Sequence, residues 1–299
     1  MSVHDLVERL ATVVAIPVTP FAEDGNVDDT RYGELVRRLV DGGVTAVTPN
    51  GNTGEFYTLT PQERRLVLET CTRVAANRAV VVAGVGFDVP TAVADARAAR
   101  RTGAQAIMIH QPAHPYLSPD GWVEYCAAIA AAVPELGVLP YLKARTVGGR
   151  HIGELARRAP NVIGLKYSVD DLVHLTATRA DTDTDLLWIC GLAEPYAPAY
   201  WQAGARGFTS GLVNVAPGLS LDLLAGLRAG DADRVQRVWR RVRRFEELRA
   251  RNGSADNVSV VKEAMHQRGL CRAAVRPPNH ELGPDAARAV AEAIAGWET

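Results

Sequence analysis

Cysteine is scarce and unpaired in this sequence. The four cysteines lie far apart along the 299 residues, and no two of them form a CxxC pair. This spacing argues against a structural zinc site and against a disulfide framework, and it fits a reducing compartment. We therefore expect a cytoplasmic protein without a metal site. The cysteines are Cys71, Cys126, Cys190 and Cys271.

Long apolar segments and an excess of charge are also absent. No segment approaches 18 uninterrupted apolar residues, which argues against a transmembrane helix. The apolar run from Leu10 to Val18 is broken by Pro17 and lacks the features of a signal peptide, so we interpret it as a core strand. The formal net charge is -1, so no basic field favours nucleic acid or an anionic membrane. We expect neither as a partner.

Lysine is the third scarcity, with three lysines against thirty arginines. One of them, Lys166, stands near the C-terminal end of the apolar stretch VIGLKYS (162–168). A buried lysine can lose its proton and attack a carbonyl carbon, whereas arginine stays charged. The choice of an amine here indicates either this chemistry or a lysine that extends from a surface loop into water.

Short apolar runs alternate with helical patterns along most of the chain. Runs that are apolar on both faces are typical of parallel strands covered by helices. Eight strand–helix units predict a (β/α)8 TIM barrel. The alternative is a doubly wound open sheet, which usually carries a GxGxxG turn that this chain lacks. The predicted strands are VVAIPV (13–18), TAVTP (45–49), VVVAGVG (80–86), AIMIH (106–110), GVLPYL (137–142), VIGLKY (162–167), LLWICG (186–191) and GFTSGL (207–212).

The predicted barrel occupies residues 1–228, and residues 229–299 form a C-terminal helical extension of the same domain. Within the extension, residues 234–251 hold eight arginines, with apolar residues at helical spacing. These arginines could form a patch for anions or nucleic acid. An amphipathic helix with a solvated Arg/Glu face is the simpler interpretation.

Catalytic residues of a barrel lie at the C-terminal ends of its strands. Alternation along the sixth strand puts Gly164 and Lys166 on one face, and an amine at an apolar barrel mouth becomes a nucleophile. Tyr141 ends the fifth strand and could carry protons, or it could be an ordinary core aromatic. The loop at 49–55, PNGNTGE, offers backbone amides and side-chain donors to a carboxylate, or it is a plain connection.

Two histidines, His110 and His114, flank Pro112 after the fourth strand. Because a proline there disfavours a helix, the pair does not form an i, i+4 metal site. Either histidine could instead line the mouth of a pocket.

Taken in order, five segments resemble the dihydrodipicolinate synthase / N-acetylneuraminate lyase family of Schiff-base 2-keto acid lyases. They are GNTGEFYTLT (51–60), Tyr141 at the end of strand five, NVIGLKYS (161–168), GFTSGLVNVAP (207–217) and AVRPP (274–278). The match runs from about Ile16 to Pro278.

The resemblance implies that Lys166 forms an imine with pyruvate or a related 2-keto acid and that Tyr141 moves the proton. It implies further that Gly51, Asn52 and Thr53 hold the substrate carboxylate. It implies a homo-oligomer, a dimer or tetramer, and no cofactor. Further candidate substrate-binding residues are Thr209 and Ser210 in the segment that resembles strand eight, and His114 and Arg145 in segments where the chain departs from the family pattern.

This chain departs from the dihydrodipicolinate synthase pattern at positions that bear on the substrate. Asn52 replaces a relay threonine, His114 replaces a relay tyrosine that Tyr116 could supply instead, and Arg145 falls one residue early. The GxTGEF loop, the Ser210 region and the rewritten Tyr141 segment are similar to the 5-dehydro-4-deoxyglucarate dehydratase branch, although the match there is incomplete too.

We therefore predict a class I lyase, an aldolase or dehydratase of 2-keto acids or sugar acids, with 5-dehydro-4-deoxyglucarate as one candidate substrate. A barrel that binds a keto acid without turnover is the alternative from another class. A metal-dependent aldolase lacks a ligand cluster. The second substrate and the direction of reaction stay open.

Overall fold

The computed structural model describes residues 1–297 and contains eight strands and twelve α-helices within them. The strands are β1 (Val13–Ala15), β2 (Ala46–Val47), β3 (Val80–Val85), β4 (Ala106–Ile109), β5 (Gly137–Leu142), β6 (Gly164–Tyr167), β7 (Leu187–Cys190) and β8 (Gly207–Ser210). The helices are α1 (Val3–Leu10), α2 (Asp29–Asp41), α3 (Pro61–Ala75), α4 (Val89–Thr102), α5 (Pro119–Ala131), α6 (Gly149–Arg158), α7 (Leu172–Ala180), α8 (Ala193–Gln202), α9 (Pro217–Ala229), α10 (Ala232–Ser254), α11 (Asn257–Gln267) and α12 (Pro284–Ile294). Short 3₁₀ turns cover Asn52–Gly54, Phe56–Thr58 and Leu212–Asn214.

The strands follow one another in chain order around a closed barrel, and their registered pairs are parallel. Every residue of every strand is buried, as expected for parallel strands covered by helices. The predicted (β/α)8 barrel is therefore confirmed. The doubly wound alternative is wrong, because its strand order would reverse at a switch point.

Two helix starts form as their sequences predict. Thr60 accepts a hydrogen bond from the Glu63 amide, and the Glu63 carboxylate accepts one from the Thr60 amide, which closes a capping box before α3. Ser118 caps α5 with Pro119 at the first helical position.

The chain divides into two compact units. The first unit comprises Met1–Thr12 and Val80–Thr209, with strands β3 to β7, most of β8, helix α1 and helices α4 to α8. The second unit comprises Val13–Ala79 and the chain from Ser210 onwards, with β1, β2, α2, α3 and α9 to α12.

Several bounds differ from the predicted ones. The run 13–18 forms a strand only over Val13–Ala15, because Pro17 lacks an N–H for ladder hydrogen bonds. The strand at 162–167 begins at Gly164 instead. Helix α1 has no counterpart in the predicted pattern, although Ser2 and Asp5 close a capping box at its start.

The C-terminal segment is helical, as predicted for residues 229–299, in three helices α10 to α12 up to Ile294. The α10 face that carries Val238, Val242 and Phe245 is buried. On the same helix Arg243 pairs with Glu247, as an amphipathic helix with a solvated Arg/Glu face would. The boundary between barrel and extension stays a prediction. Glu298 and Thr299 lie outside the described residues.

Candidate active site

Lys166 lies on β6 in the first unit and is only 5% exposed. Its neighbour Tyr167 points toward the helices, since its hydroxyl hydrogen-bonds the His174 ring on α7. Because successive side chains of a strand point to opposite faces, Lys166 points to the face away from α7. This is the inward direction that alternation along the sixth strand predicts.

Tyr141 is an aromatic neighbour of the Lys166 amine. The two residues are register partners on β5 and β6, and Lys166 Nζ lies 4.3 Å from the centre of the Tyr141 ring. His110 follows at the end of β4, with its ring centre 6.4 Å from that of Tyr141 in an edge-on arrangement. The structure thus brings together the two predicted catalytic residues.

Burial lowers the pKa of Lys166 to about 8, with a smaller contribution in the same direction from the charge of Lys143. Among residues 1–297 no carboxylate lies within ion-pair distance of its amine to oppose this shift. At neutral pH about a tenth of such an amine is unprotonated, far more than for an ordinary lysine. This unprotonated fraction is the form that attack on a carbonyl carbon requires.

The end of β7 leaves room beside the lysine. A Cβ on Gly191 would lie 1.9 Å from Ser168 Oγ and 2.9 Å from Lys166 Cγ, so any side chain there would displace both. Gly191 thus lets the backbone approach the inner face of β6 closely.

Thr209 lies in β8 and is buried, with its hydroxyl 3.5 Å from the Cys190 carbonyl oxygen on β7. Its predicted contact with substrate stays a prediction. At 3.5 Å this hydrogen bond is long, and it contributes little to holding the side chain.

Arg145 is held in ion pairs. Its guanidinium lies 2.9 Å from Asp170 and 2.8 Å from Asp171, and these carboxylates raise its pKa. Asp171 also caps α7 by accepting from the His174 amide. The Arg145 side chain therefore ties the end of strand five to the start of α7, and a substrate contact would compete with both aspartates.

His114 lies in an exposed loop of the first unit. Its Nδ1 is 3.1 Å from the Tyr116 amide nitrogen and 2.9 Å from the Tyr116 carbonyl oxygen. Tyr116 is itself 86% exposed. The described contacts do not join either residue to Lys166, so the question of which replaces the relay tyrosine stays open.

In the second unit the glycine-rich loop forms a 3₁₀ turn over Asn52–Gly54. A Cβ on Gly51 would lie 2.5 Å from Ile16 Cγ2, so the loop packs closely on the segment after β1. Thr53 is buried and Asn52 half-buried. The amides of Asn52 and Thr53 stand at the start of the turn, where N–H groups have no acceptor within the helix.

Ser210 ends β8, and its hydroxyl belongs to the turn that follows. Ser210 Oγ lies 3.1 Å from Ser220 Oγ on α9 and accepts a 3.1 Å hydrogen bond from the Val213 amide. This hydroxyl has a structural role already, and its predicted substrate contact stays a prediction.

The sequence interpretation missed a buried cluster behind the loop, also in the second unit. Glu55 and Lys262 form an ion pair with both side chains fully buried. Lys262 also donates to the Ala274 carbonyl at 2.8 Å, and Glu55 accepts from the Arg276 amide at 2.9 Å. The AVRPP segment therefore fixes the carboxylate that ends the GNTGE loop.

Arg276 extends this cluster to the start of α3. Its guanidinium pairs with Glu63 and donates to the Thr58 carbonyl at 3.1 Å. This contact with Arg276 is the main reason that the pKa of Glu63 falls to about 2. Two features of the sequence belong to this cluster: the scarce lysine Lys262 and the RPP segment with Arg276. Neither feature by itself predicts that Lys262 is buried in an ion pair with Glu55.

Two general features bear on partners and cofactors. Within residues 1–297, no group of three or more His, Cys, Asp or Glu side chains is arranged to hold a metal ion. None of the helices described in that range is long and apolar enough to cross a membrane.

The Dihydrodipicolinate synthetase family model matches residues 9–296. The chain belongs to this family, as its motifs predict. Its broad enzyme class is that of a lyase.

Particular relatives differ in the activity their names state. A protein of Saccharopolyspora erythraea named "Probable 5-dehydro-4-deoxyglucarate dehydratase" is 31% identical over 284 residues, covering 93% of this chain and 91% of that protein. A 4-hydroxy-tetrahydrodipicolinate synthase of Phenylobacterium zucineum is 34% identical, covering 93% of each. The crystal structure of dihydrodipicolinate synthase from Oceanobacillus iheyensis superposes with a TM-score of 0.94 at 37% identity over 99% of both chains.

Proposed function

We propose that this protein is a class I lyase that forms an imine between Lys166 and a 2-keto acid. The observation that carries the proposal is the buried Lys166 amine, which lies beneath the Tyr141 ring and has a pKa of about 8. Family membership supports it, because the relatives named above are lyases.

In the proposed reaction the neutral Lys166 amine adds to the C2 carbonyl carbon, and loss of water gives the imine. A proton then leaves C3, and the electron pair of that C–H bond forms the enamine. From there the enamine either expels a hydroxide from C4, which is dehydration, or adds to an aldehyde carbon, which is the aldol direction. Hydrolysis of the imine returns the amine of Lys166.

Tyr141 is the proposed proton carrier. Its ring lies over the Lys166 amine, and its hydroxyl belongs to a side chain that is only 6% exposed. A positioned phenol can take the proton released at the carbinolamine and return it when the imine is hydrolysed. His110 lies edge-on to that ring, with 6.4 Å between the ring centres.

Gly51, Asn52 and Thr53 are the proposed carboxylate-binding group. The Thr53 hydroxyl and the amides at the start of the 3₁₀ turn are donors suited to an anion. The Glu55–Lys262 pair and Arg276 keep the loop in that conformation. Thr209, Ser210 and His114 are retained as candidate contacts from the family pattern.

A dehydratase of a 5-dehydro-4-deoxyglucarate type of sugar acid is the second, narrower candidate. The relatives that carry this name include the Saccharopolyspora erythraea protein and one from Methylobacterium radiotolerans at 34% identity over 90% of each chain. An aldolase acting on pyruvate would differ from this dehydratase only in the step after enamine formation, where the enamine adds to an aldehyde and does not expel hydroxide. We further propose a homo-oligomer, a dimer or tetramer, located in the cytoplasm, where the free cysteines would stay reduced.

Borohydride reduction in the presence of pyruvate or a longer 2-keto acid tests the proposal, with peptide mass spectrometry to locate the adduct. We expect one stable adduct, on Lys166, and none in Lys166→Ala. Because the chain has three lysines, Lys143 and Lys262 act as internal controls. Saturable binding of keto acids without any adduct, in a protein whose Lys166→Ala variant behaves as the parent, would instead support a non-catalytic binding barrel.

A further inference from the structure

One arginine near the end of α10, Arg249, is buried in the second unit. It is only 6% exposed, and two hydrogen bonds hold its guanidinium. Nη1 donates to the Glu246 carboxylate at 2.6 Å, and Nε donates to the Asn257 side-chain oxygen at 3.0 Å. Since Asn257 begins α11, the guanidinium joins the end of α10 to the next helix. Arg249 is therefore not part of the solvated face of α10, and its position is fixed.

The remaining nitrogen of this guanidinium, Nη2, lies beside the glycine-rich loop of the same unit. A Cβ on Gly211, the residue after β8, would lie 2.6 Å from Arg249 Nη2 and 3.4 Å from Thr53 Cγ2. Those two atoms are therefore at most the sum of the two distances, about 6 Å, apart. Gly211 has a φ of -95° and a ψ of -24°, which any residue can adopt, so the backbone does not require glycine there. Its lack of a side chain instead leaves room for the guanidinium.

Two neighbouring donors at this place have no acceptor in the described chain. Within residues 1–297, Arg249 Nη2 makes no hydrogen bond, and neither does the Thr53 hydroxyl. Arg145 differs, because both of its Nη nitrogens donate to aspartates. Buried polar groups are nearly always hydrogen-bonded, since a buried donor without an acceptor destabilises the fold. A pair of such donors beside a loop of free amides therefore indicates that a ligand supplies the acceptor.

We propose that Arg249 is a further substrate-binding residue, whose Nη2 donates to the C1 carboxylate of the 2-keto acid beside Thr53. The inference rests on the proposed imine chemistry and on the carboxylate-binding role proposed for the loop. One carboxylate oxygen can accept from the Thr53 hydroxyl while the other accepts from Nη2. The loop itself offers only neutral donors, and a charge-assisted hydrogen bond is roughly twice as strong as a neutral one. The bond to Glu246 does not prevent this contact, because it uses Nη1.

A matched pair of ligands tests the proposal: pyruvate, and pyruvamide, in which an uncharged amide replaces the carboxylate. Borohydride adduct formation on Lys166 is measured against the concentration of each. The parent protein should reach half-saturation with pyruvate at the lower concentration. Arg249→Lys keeps a cation to pair with Glu246 but has no second nitrogen for the ligand. In this variant the preference for pyruvate should fall by at least about tenfold, the effect of losing a charge-assisted contact, while half-saturation by pyruvamide changes little.

Gly211→Ala tests the same contact without a change to Arg249 or to the loop. Its methyl group would take the place of Nη2 and displace the guanidinium, so the preference for pyruvate should fall here too. Gly218→Ala is the matched control, because no atom lies within 4 Å of a Cβ at that position, and it should keep the preference of the parent. Unfolding midpoints equal to that of the parent verify that the variants fold.

The outcomes separate this inference from the proposed function. Equal half-saturation by both ligands in the parent, or a preference that survives in Arg249→Lys and Gly211→Ala, would overturn the role of Arg249 and leave the imine chemistry standing. Equal losses for pyruvate and pyruvamide in these variants would overturn it as well, because they would show that Arg249 only supports the structure. The absence of any adduct in the parent protein would overturn the imine chemistry itself.

Discussion

Lys166 and Lys262 are both buried lysines, and they differ in the group that faces the amine. Lys262 pairs with the Glu55 carboxylate and donates to the Ala274 carbonyl. Lys166 faces the ring of Tyr141 instead. Burial lowers the pKa of both, but for Lys262 the charge of Glu55 opposes the shift.

Under the proposed function, this difference separates a structural amine, that of Lys262, from a reactive one, that of Lys166. An ammonium with a carboxylate and a carbonyl around it is stabilised in its charged form, and its hydrogen bonds fix the chain. An amine with neither loses hydration without compensation and becomes a nucleophile. In this arginine-rich chain, the two positions therefore have different physical reasons for carrying a lysine.

Removal of the reactive amine should give the largest effect. We expect Lys166→Met to lower turnover by at least about 10³-fold, because no other group can form the imine. Turnover of the sugar acid or keto acid measures this loss, and Lys166→Arg, which keeps the charge, should be equally inactive. Activity within tenfold of the parent in either variant would contradict the role of Lys166.

The same variant should be more stable than the parent. A lysine whose folded-state pKa lies below its unfolded value destabilises the fold at low pH, and the penalty fades as pH rises from about 8 to 10.5. Lys166→Met should thus raise the free energy of unfolding at pH 7 by about 1–3 kcal/mol. Urea unfolding of parent and variant at pH 7 measures the gain in the free energy of unfolding, and the same comparison at pH 10 should show a smaller gain.

Removal of the structural amine should have the opposite consequence. Lys262→Met leaves the Glu55 carboxylate buried without its ammonium, which costs about 3–5 kcal/mol of the free energy of unfolding. The double variant Lys262→Met/Glu55→Gln should recover most of this loss, because no buried charge remains. A double variant no more stable than the single one would show that packing, and not the ion pair, accounts for the loss.

A smaller effect is expected from the group that faces Lys166. Tyr141→Phe keeps the ring over the amine and removes the hydroxyl, so the Lys166 adduct should still form. Turnover should fall on the order of 10²-fold, the usual contribution of a positioned proton carrier. Comparison of adduct yield with turnover measures the two separately, and an unchanged turnover would remove Tyr141 from the mechanism.

The fold could be predicted from the sequence because apolar strand runs and helix-capping motifs are both local signals. Strand β5 has the predicted bounds, and Thr60 and Ser118 cap the helices that their motifs indicate. Helix α1 was missed because it precedes the first strand and repeats no strand–helix unit. The strand at 13–18 ended early because proline interrupts its ladder.

The candidate site could be predicted only in part, because side-chain pairs between distant segments leave no periodic pattern in the sequence. Alternation predicted the direction of Lys166, and family motifs predicted Tyr141. Lys262 lies within VSVVKEAM, which reads as an ordinary helix, and its partner Glu55 is 207 positions away. The ion pairs of Arg145 and the hydrogen bonds of the Ser210 hydroxyl likewise depend on tertiary neighbours.

The pKa of Lys166 tests the central claim most directly. Trace acetylation across pH, with mass spectrometry of the lysine-containing peptides, reads the titration of this amine beside those of Lys143 and Lys262. We expect Lys166 to react with a midpoint near pH 8, its labelling rising about tenfold per pH unit below that value. A midpoint near 10.5, the ordinary value for lysine, would contradict the account.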